Sequence, residues 1–182
     1  MGTNCMRIGI AGAGGIGSNV AMLLTRAGFA KFTIVDFDNL ESSNLNRQFY
    51  FEDQLGKPKI KSLVINLKRI NKDIDLRIHN EKLEKENIKQ IFYDCDVMVE
   101  AFDKKEYKSM LIEECLATKK MIVSASGIGG TDLTNIQTKT MMKKLHIIGD
   151  FETDISEYKA YSTKVTIVAA MMANIIIQNF ED

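Results

Sequence analysis

The chain has 182 residues, of which 45% are hydrophobic and 26% are charged, and its formal net charge is zero. This length suits a single domain, residues 1–182, that buries a core without disulfides. Because general nucleic-acid binders are normally basic, the neutral charge argues against a nucleic-acid partner.

Short apolar runs alternate with amphipathic segments along most of the chain. A buried strand at residues 7–11 leads through glycines into a helix at 16–27, and a second strand at 32–35 ends at Asp36. After a polar loop at 37–56, Pro58 opens a helix that runs to about residue 70. The remaining predicted elements are strands at 74–78, 97–100, 121–125, 136–138 and 146–148, and helices at 83–93, 105–118 and 164–179.

Five strand–helix alternations predict an α/β fold of the Rossmann-like, doubly wound kind. Its mostly parallel sheet should carry a few additional C-terminal strands and a buried C-terminal helix. Ligands of such sheets bind at the carboxyl ends of the strands. Three of those ends carry the glycines of residues 12–17, Asp36 and Asp103, so we expect these groups to meet at one edge.

The sequence Gly-Ala-Gly-Gly-Ile-Gly begins at Gly12, between a predicted strand and a predicted helix. In this motif Gly12 makes the turn, Gly14 allows a phosphate to approach and Gly17 packs the helix on the strand. The helix N-terminus beside Gly15 attracts anions, and Asp36, about 20 residues on, suits a ribose diol. The motif alone indicates NAD; a tight turn with a capping acid and no ligand is the structural alternative.

The polar loop after Asp36 changes this interpretation to a nucleoside triphosphate. A dehydrogenase has no need for an arginine, an amide cluster and a lysine at the ribose end. Arg47 can grip phosphate oxygens through its planar fork, and Lys59 begins a helix whose dipole also attracts anions. Asp103 can hold Mg²⁺ that bridges phosphates. The plainer alternatives are a surface ion pair for Arg47, a solvated basic face for Lys59 and a helix cap for Asp103.

Four motifs occur in the order GAGGIGSN, VDFDNLESSNLNRQ with GKPK, EAFD and SASGIGG. Together they resemble the bacterial form of the ubiquitin-activating-enzyme superfamily, which includes the ThiF and MoeB adenylyltransferases, and most of all its compact ThiF branch in thiamine biosynthesis. The resemblance implies ATP-dependent adenylation, with Mg²⁺, of a small ubiquitin-like sulfur carrier protein that ends in Gly-Gly, such as ThiS. Pyrophosphate is the other product. It also implies a homodimer.

The resemblance implies a role for each matching residue. The catalytic group comprises Arg47 and Lys59, which contact phosphate, and Asp103, which binds Mg²⁺ and orients the α-phosphate. The nucleotide is bound by these three residues together with Gly12, Gly14, Gly15, Gly17, Asp36, Ser43, Asn44 and Gln48. Gln48 mainly supports the triphosphate loop.

The cysteines Cys5, Cys95 and Cys115 form no Cys-x-x-Cys pair and have no neighbouring histidine, so neither zinc nor a disulfide framework is predicted. Reduced thiols indicate a cytoplasmic protein. Many relatives use a cysteine between the later strands and the last helix for covalent transfer, but residues 149–163 contain none. We therefore expect Cys95 and Cys115 to be inert, and sulfur to be added by another protein.

The longest apolar stretch, residues 165–177, is interrupted by polar residues and is shorter than a bilayer requires, so no membrane span is expected. Besides carrier adenylation and, more distantly, an NAD-linked oxidoreductase, two interpretations stay open. One is a related dehydratase that acts on a modified tRNA nucleoside through adenylation. The other is a non-catalytic relative that only binds the carrier.

The zero net charge conceals two oppositely charged segments. Residues 47–72 hold seven basic and two acidic residues, whereas residues 150–157 hold four acidic residues and no basic one. We expect the first segment to face the triphosphate and the second to face a basic carrier surface or Mg²⁺.

Overall fold

The structure, a computed structural model, describes residues 5–118 and 120–180. Its strands are β1 (Arg7–Ala11), β2 (Lys31–Val35), β3 (Asp75–His79), β4 (Val97–Glu100), β5 (Met121–Ala125), β6 (Gln137–Met141) and β7 (Leu145–Gly149). Its helices are α1 (Gly15–Arg26), α2 (Lys59–Lys68), α3 (Lys85–Ile91), α4 (Lys105–Leu116) and α5 (Ser162–Phe180). Every predicted element is present within a few residues. The polar loop additionally contains two short 3₁₀ turns, Ser42–Asn44 and Glu52–Gln54.

These seven strands form one sheet in the order β3-β2-β1-β4-β5-β7-β6. All neighbouring pairs are parallel except β6 with β7. The chain winds outward from β1 to β3 and then returns to β4 on the other side of β1. The predicted doubly wound, Rossmann-like fold is therefore confirmed, and its topological switch point lies between β1 and β4.

The central strands are continuous apolar runs because helices cover both of their faces. β1, β4 and β5 are buried along their whole length. β3 and β6 lie at the two edges of the sheet, and all five residues of β6 are exposed. The weak apolar signal of these edge strands explains why their observed bounds differ from the predicted ones by one to three residues.

Helix α5 begins earlier and ends later than the sequence predicts. The prediction that this segment is too short for a bilayer is wrong, because the helix has 19 residues and is long and apolar enough to span a membrane by length and composition alone. In this structure α5 packs on α1 and on β5. The predicted burial holds for one face of the helix, whose apolar members are Val165, Val168, Ala169, Met172, Ala173 and Ile176.

Gly12 and Gly17 have the structural roles that the motif predicts. Gly12 has a φ of +96°, a conformation that favours glycine. A Cβ on Gly17 would lie 1.8 Å from the Gly12 carbonyl oxygen, so only glycine allows α1 to pack this closely on β1. A Cβ on Gly14 would meet only Gln48 Nε2, at 3.9 Å, so this position has open space.

Gly17→Ala is expected to lower the free energy of unfolding by about 1–3 kcal/mol or more, because the added Cβ forces the Gly12 backbone to move. Urea unfolding followed by far-ultraviolet circular dichroism measures this loss. Gly14→Ala is the matched control, and we expect its unfolding midpoint to stay near that of the wild type. Equal losses in the two variants would contradict a specific contact at Gly17.

Candidate functional site

A cleft of about 840 Å³ opens at the carboxyl edge of the parallel strands. Nine of the eleven predicted site residues line it: Gly12, Gly14, Gly15, Asp36, Asn44, Arg47, Gln48, Lys59 and Asp103. Ser43 instead lines an adjoining pocket of about 440 Å³, which it shares with Arg47. Gly17 lies beneath the glycine loop as a packing residue. The structure thus brings segments that are far apart in sequence around one cavity.

Asp36 borders the cleft beside the glycine loop. Its Oδ2 accepts a hydrogen bond from the Ala13 amide at 2.7 Å, and its Oδ1 accepts one from the Asp38 amide at 2.8 Å. Burial raises the pKa of Asp36, while these two amides and the nearby Lys59 ammonium oppose the rise. Each carboxylate oxygen can accept a further hydrogen bond, which suits the two hydroxyls of a ribose.

The Lys59 ammonium is paired with a carboxylate and is largely shielded from solvent. Its Nζ lies 2.7 Å from Asp38 Oδ2, and its side chain is only 8% exposed. Its neighbours Lys57 and Lys61 are exposed, so the alternative of a solvated basic face is wrong for Lys59. An ammonium has three donors, and the pairing with Asp38 leaves two of them for an anion in the cleft.

The backbone of Arg47 is held in place by a side chain of α1. Asn19 Nδ2 donates to the Arg47 carbonyl oxygen at 2.8 Å and to the Gly15 carbonyl oxygen at 2.6 Å. The Arg47 guanidinium donates through Nη1 to Ser43 O at 3.0 Å and to Asn46 Oδ1 at 2.8 Å. Arg47 forms no ion pair with any of the described residues. The alternative that Arg47 serves only a surface ion pair is therefore not supported.

Asn44 stabilises the polar loop, and the Gln48 side chain lies beside the glycine loop. Asn44 is buried, and its Oδ1 accepts a hydrogen bond from the Glu41 amide at 3.0 Å, which closes the first 3₁₀ turn. Gln48 lies with its Nε2 beside Gly14, and its Oε1 is buried without a partner in the described part of the chain. A direct contact between Asn44 and phosphate stays a prediction.

Asp103 follows β4, across the cleft from Asp36. The turn that carries it is fixed by the buried Glu100, which accepts hydrogen bonds from the Phe102 amide at 2.7 Å and from Lys108 Nζ at 2.8 Å. Asp103 itself is exposed, and its carboxylate contacts no hydrogen-bond donor or cation of the described ranges. Because the N-cap residue of α4 is Lys104, the helix-cap alternative for Asp103 is wrong.

Sequence reasoning missed a serine that joins the glycine loop to the polar loop. Ser18 Oγ donates to Gly14 O at 2.6 Å and accepts a hydrogen bond from the Phe49 amide at 3.0 Å. Ser18 and Asn19 are fully or almost fully buried. The sequence signal that could have identified them is a pair of polar residues directly after the last glycine of the phosphate loop, where the helix is expected to be buried.

Tyr50 supports the glycine loop from below, and sequence reasoning missed it too. Its hydroxyl donates to the Ala13 carbonyl oxygen at 2.7 Å. Burial, with a smaller contribution from the Asp36 charge, raises the pKa of Tyr50 well above its usual value. The phenol therefore stays protonated and keeps this hydrogen bond at neutral pH.

Residues 126–128 and 151–155, which we name the far wall, line the cleft opposite the glycine loop. Next to them, Asp150 Oδ2 lies 2.6 Å from the Nζ of the buried Lys164. Burial alone would raise the pKa of Asp150, but hydrogen bonds from Lys164 and from the Thr153 amide hold it well below its ordinary value. The expectation that the acidic segment faces a carrier or Mg²⁺ is therefore wrong for Asp150.

Within the described ranges, no cluster of three or more histidine, cysteine, aspartate or glutamate side chains could hold a metal ion. Mg²⁺ commonly takes only one or two protein carboxylates and completes its shell with phosphate oxygens and water. The exposed Asp103 carboxylate fits this pattern, provided that a phosphate ligand is bound beside it.

The two buried thiols are poor nucleophiles. Burial raises the pKa of Cys95 and of Cys115 to about 11, whereas Cys5 is exposed. The described lining of the cleft contains neither cysteine nor histidine. Its residues are suited to bind, orient and neutralise reactants.

Comparisons with known proteins agree with this fold. The ThiF family model matches residues 3–180. A molybdopterin-synthase adenylyltransferase from Haemophilus influenzae is 32% identical over 120 residues, which are 65% of this chain and 49% of that protein. Ubiquitin-like modifier-activating enzyme 5 from Drosophila melanogaster is 40% identical over 73 residues, which are 40% of this chain and 18% of that protein.

Among solved structures, the E. coli tRNA N6-threonylcarbamoyladenosine dehydratase TcdA superposes with a TM-score of 0.86 at 20% identity. The superposition covers 96% of this chain and 85% of that one. A complex of the same protein with ATP gives a TM-score of 0.82. At this identity the likeness shows the fold alone. This chain spans half or less of the length of the two curated relatives.

Iodoacetamide at pH 7.5 is expected to modify Cys5 rapidly and to leave Cys95 and Cys115 unmodified in the native protein. With a pKa of about 11, only about one buried thiol in three thousand is ionised at that pH, and burial also blocks the reagent. Intact-mass spectrometry should count one label in the native state and three in urea. Rapid labelling of more than one native thiol would contradict this.

Proposed function

The chain belongs to the ThiF family, and from this premise we propose that it adenylates the C-terminal carboxylate of a small ubiquitin-like carrier protein. A carboxylate oxygen attacks the α-phosphorus of ATP, the bond to pyrophosphate breaks, and an acyl-adenylate forms. The observation that best supports this is the convergence of the glycine loop, Asp36, Arg47 and Lys59 on one cleft that also has a second wall. The activities in the names of the two curated relatives support the same reaction class.

In this proposal the phosphates of ATP lie at the glycine loop and the ribose lies at Asp36. The free amides at the N-terminus of α1 provide donors for the phosphates. Beyond Asp36 the cleft is lined by Leu83, Phe102 and Tyr107, which offer an apolar and aromatic surface to the base. The rings of Phe102 and Tyr107 pack 5.7 Å apart.

The chemical difficulty is electrostatic, because an anion must approach a polyanion. The carrier carboxylate is already ionised at neutral pH, so no general base is needed. Arg47 and Lys59 supply positive charge that stabilises the departing pyrophosphate, and holding both reactants in line supplies much of the remaining rate acceleration. Mg²⁺, held by Asp103 together with phosphate oxygens, would neutralise further charge.

We further propose that the carrier is a ThiS-like protein ending in Gly-Gly and that the product serves thiazole formation in thiamine biosynthesis. The similarity of the four motifs to the compact ThiF branch supports this assignment. The lack of cysteine in residues 149–163 supports a mechanism in which another protein adds the sulfur. A cytoplasmic homodimer belongs to the same proposal.

Carrier-dependent exchange between ATP and labelled pyrophosphate tests the proposal. The full chain is incubated with ATP, Mg²⁺ and purified ThiS, and exchange should require both ATP and ThiS. ThiS that lacks its terminal Gly-Gly is the matched control and should support no exchange. If intact ThiS and Mg²⁺ give no exchange, the proposed activity is wrong.

The likeness to the E. coli tRNA dehydratase extends over 96% of this chain. It suggests a modified tRNA nucleoside as the alternative substrate, in place of a carrier protein. The zero net charge disfavours a polyanionic substrate. Exchange that depends on tRNA and not on ThiS would favour the dehydratase. Tight ThiS binding without AMP formation would favour a non-catalytic partner.

Arg47→Ala and Lys59→Ala should each lower the rate of pyrophosphate exchange at least about 10²-fold, because each removes a charge that stabilises the transition state. Initial rates at saturating ATP and ThiS measure the effect. Lys61→Ala is the matched control, since Lys61 lies on the same helix as Lys59 but is exposed. A full rate in either test variant would remove that residue from the mechanism.

A further inference from the structure

Lys164, in the first turn of α5, is a fully buried cation that the proposed reaction does not use. Its Nζ donates to Gly129 O at 2.7 Å, to Asp150 Oδ2 at 2.6 Å and to Thr153 Oγ1 at 3.5 Å. These bonds engage all three donors of the ammonium. An apolar side chain would fill the same space without the desolvation cost of a charge, so packing alone does not explain a lysine here.

The bonds of Lys164 hold the far wall together. Asp150 Oδ1 accepts hydrogen bonds from the amides of Glu152 and Thr153, both at 2.9 Å, so the chain folds around this carboxylate. The Asp150 amide in turn donates to Gly127 O at 3.1 Å. The two segments of the far wall are therefore connected to one ammonium, partly through Asp150.

The turns around Asp150 leave no room for a side chain at two glycine positions. A Cβ on Gly127 would lie 1.8 Å from Asp150 Oδ1, and a Cβ on Gly149 would lie 1.7 Å from Ser126 O. Both glycines also have positive φ, +76° and +145°. The backbone of the far wall is thus shaped closely around the ion pair, and displacement of Asp150 must displace the wall.

Val165, the residue after Lys164, contacts the opposite side of the cleft. A Cβ on Gly15 would lie 3.2 Å from Val165 Cγ1, so Val165 packs against the glycine loop. Two consecutive residues of α5 therefore contact the two sides of the cleft. Because α5 is packed along α1, its first turn determines the distance between the glycine loop and the far wall.

We propose that Lys164 is a positioning residue that holds the far wall, through Asp150, at the distance from the glycine loop that aligns the carrier carboxylate with the α-phosphorus of ATP. This inference rests on the proposed function and adds to it that the carboxylate enters along the far wall, opposite the nucleotide. Lys164 touches neither reactant. ATP binding should therefore be independent of Lys164, whereas the rate of the chemical step should depend on it.

A double variant, Lys164→Met with Asp150→Asn, removes both charges and leaves no unpaired ion in the core. We expect its kcat for ThiS-dependent exchange to fall about 10²-fold, since a displacement of about 1 Å is enough for such a loss. Its Kd for ATP, measured by calorimetry, should stay within about twofold of the wild type because the glycine loop is intact. An unchanged kcat, or a kcat that falls only in proportion to lost ATP affinity, would overturn the inference.

Lys89→Met is the matched control. Lys89 also forms an ion pair, with Glu114 at 2.9 Å, but the pair lies between α3 and α4, away from the cleft lining. Both kcat and the Kd for ATP should remain those of the wild type. A loss of kcat in Lys89→Met equal to that of the double variant would show a general effect of lost ion pairs and would overturn the assignment of Lys164.

Hydrogen–deuterium exchange separates this inference from the proposed function because it needs no carrier. In Lys164→Met the amides of Glu152 and Thr153 should exchange at least about tenfold faster than in the wild type, while residues 12–18 keep their protection. Unchanged protection at the far wall counts against Lys164. Wild-type protein that shows no pyrophosphate exchange with ThiS counts instead against the proposed function.

Discussion

The whole cleft depends on the lack of a side chain at Gly17. A Cβ there would lie 1.8 Å from the Gly12 carbonyl oxygen, so only glycine lets the first turn of α1 rest directly on the end of β1. That contact fixes the N-terminus of α1 at the carboxyl edge of the sheet. Ser18 and Asn19, one and two residues on, then reach the polar loop and hold its backbone at Phe49 and Arg47. The position of the Arg47 backbone therefore follows from packing beneath the loop.

Two ion pairs beside the cleft differ in a way that matches their proposed uses. Lys59 is 8% exposed but its partner Asp38 is 51% exposed, so water and ligands can reach this pair. Its ammonium can turn partly toward phosphate without leaving a buried carboxylate unpaired. Lys164 and Asp150 are both buried, and loss of either partner would leave an uncompensated charge in the core. The first pair is suited to contact a ligand, the second to hold backbone in place.

Local signals in the sequence were enough to predict the central sheet and the glycine loop, because each depends on residues that are close in the chain. The buried strands are apolar runs, and Asp36 follows the glycines at a regular spacing. Contacts between distant segments left no such signal: Lys164 meets Asp150 only because α5 packs back over the sheet. Ser43 is predicted to contact the triphosphate, yet it lines the adjoining pocket, because neighbouring residues of a 3₁₀ turn point in different directions and in this turn Asn44 faces the cleft.

In the proposed reaction the cleft accelerates adenylation mainly by distance and charge, so the packing that positions the two reactants matters as much as the groups that contact them. Loops can present a nucleophile, but only packed elements can keep two walls at a constant separation, because protein interiors are close-packed and resist compression. Here that element is the start of α5, where Val165 packs on the glycine loop and Lys164 bonds Thr153 of the far wall and the neighbouring Asp150. In this proposal the apolar face that buries α5 against α1 also determines the geometry in which the two reactants meet.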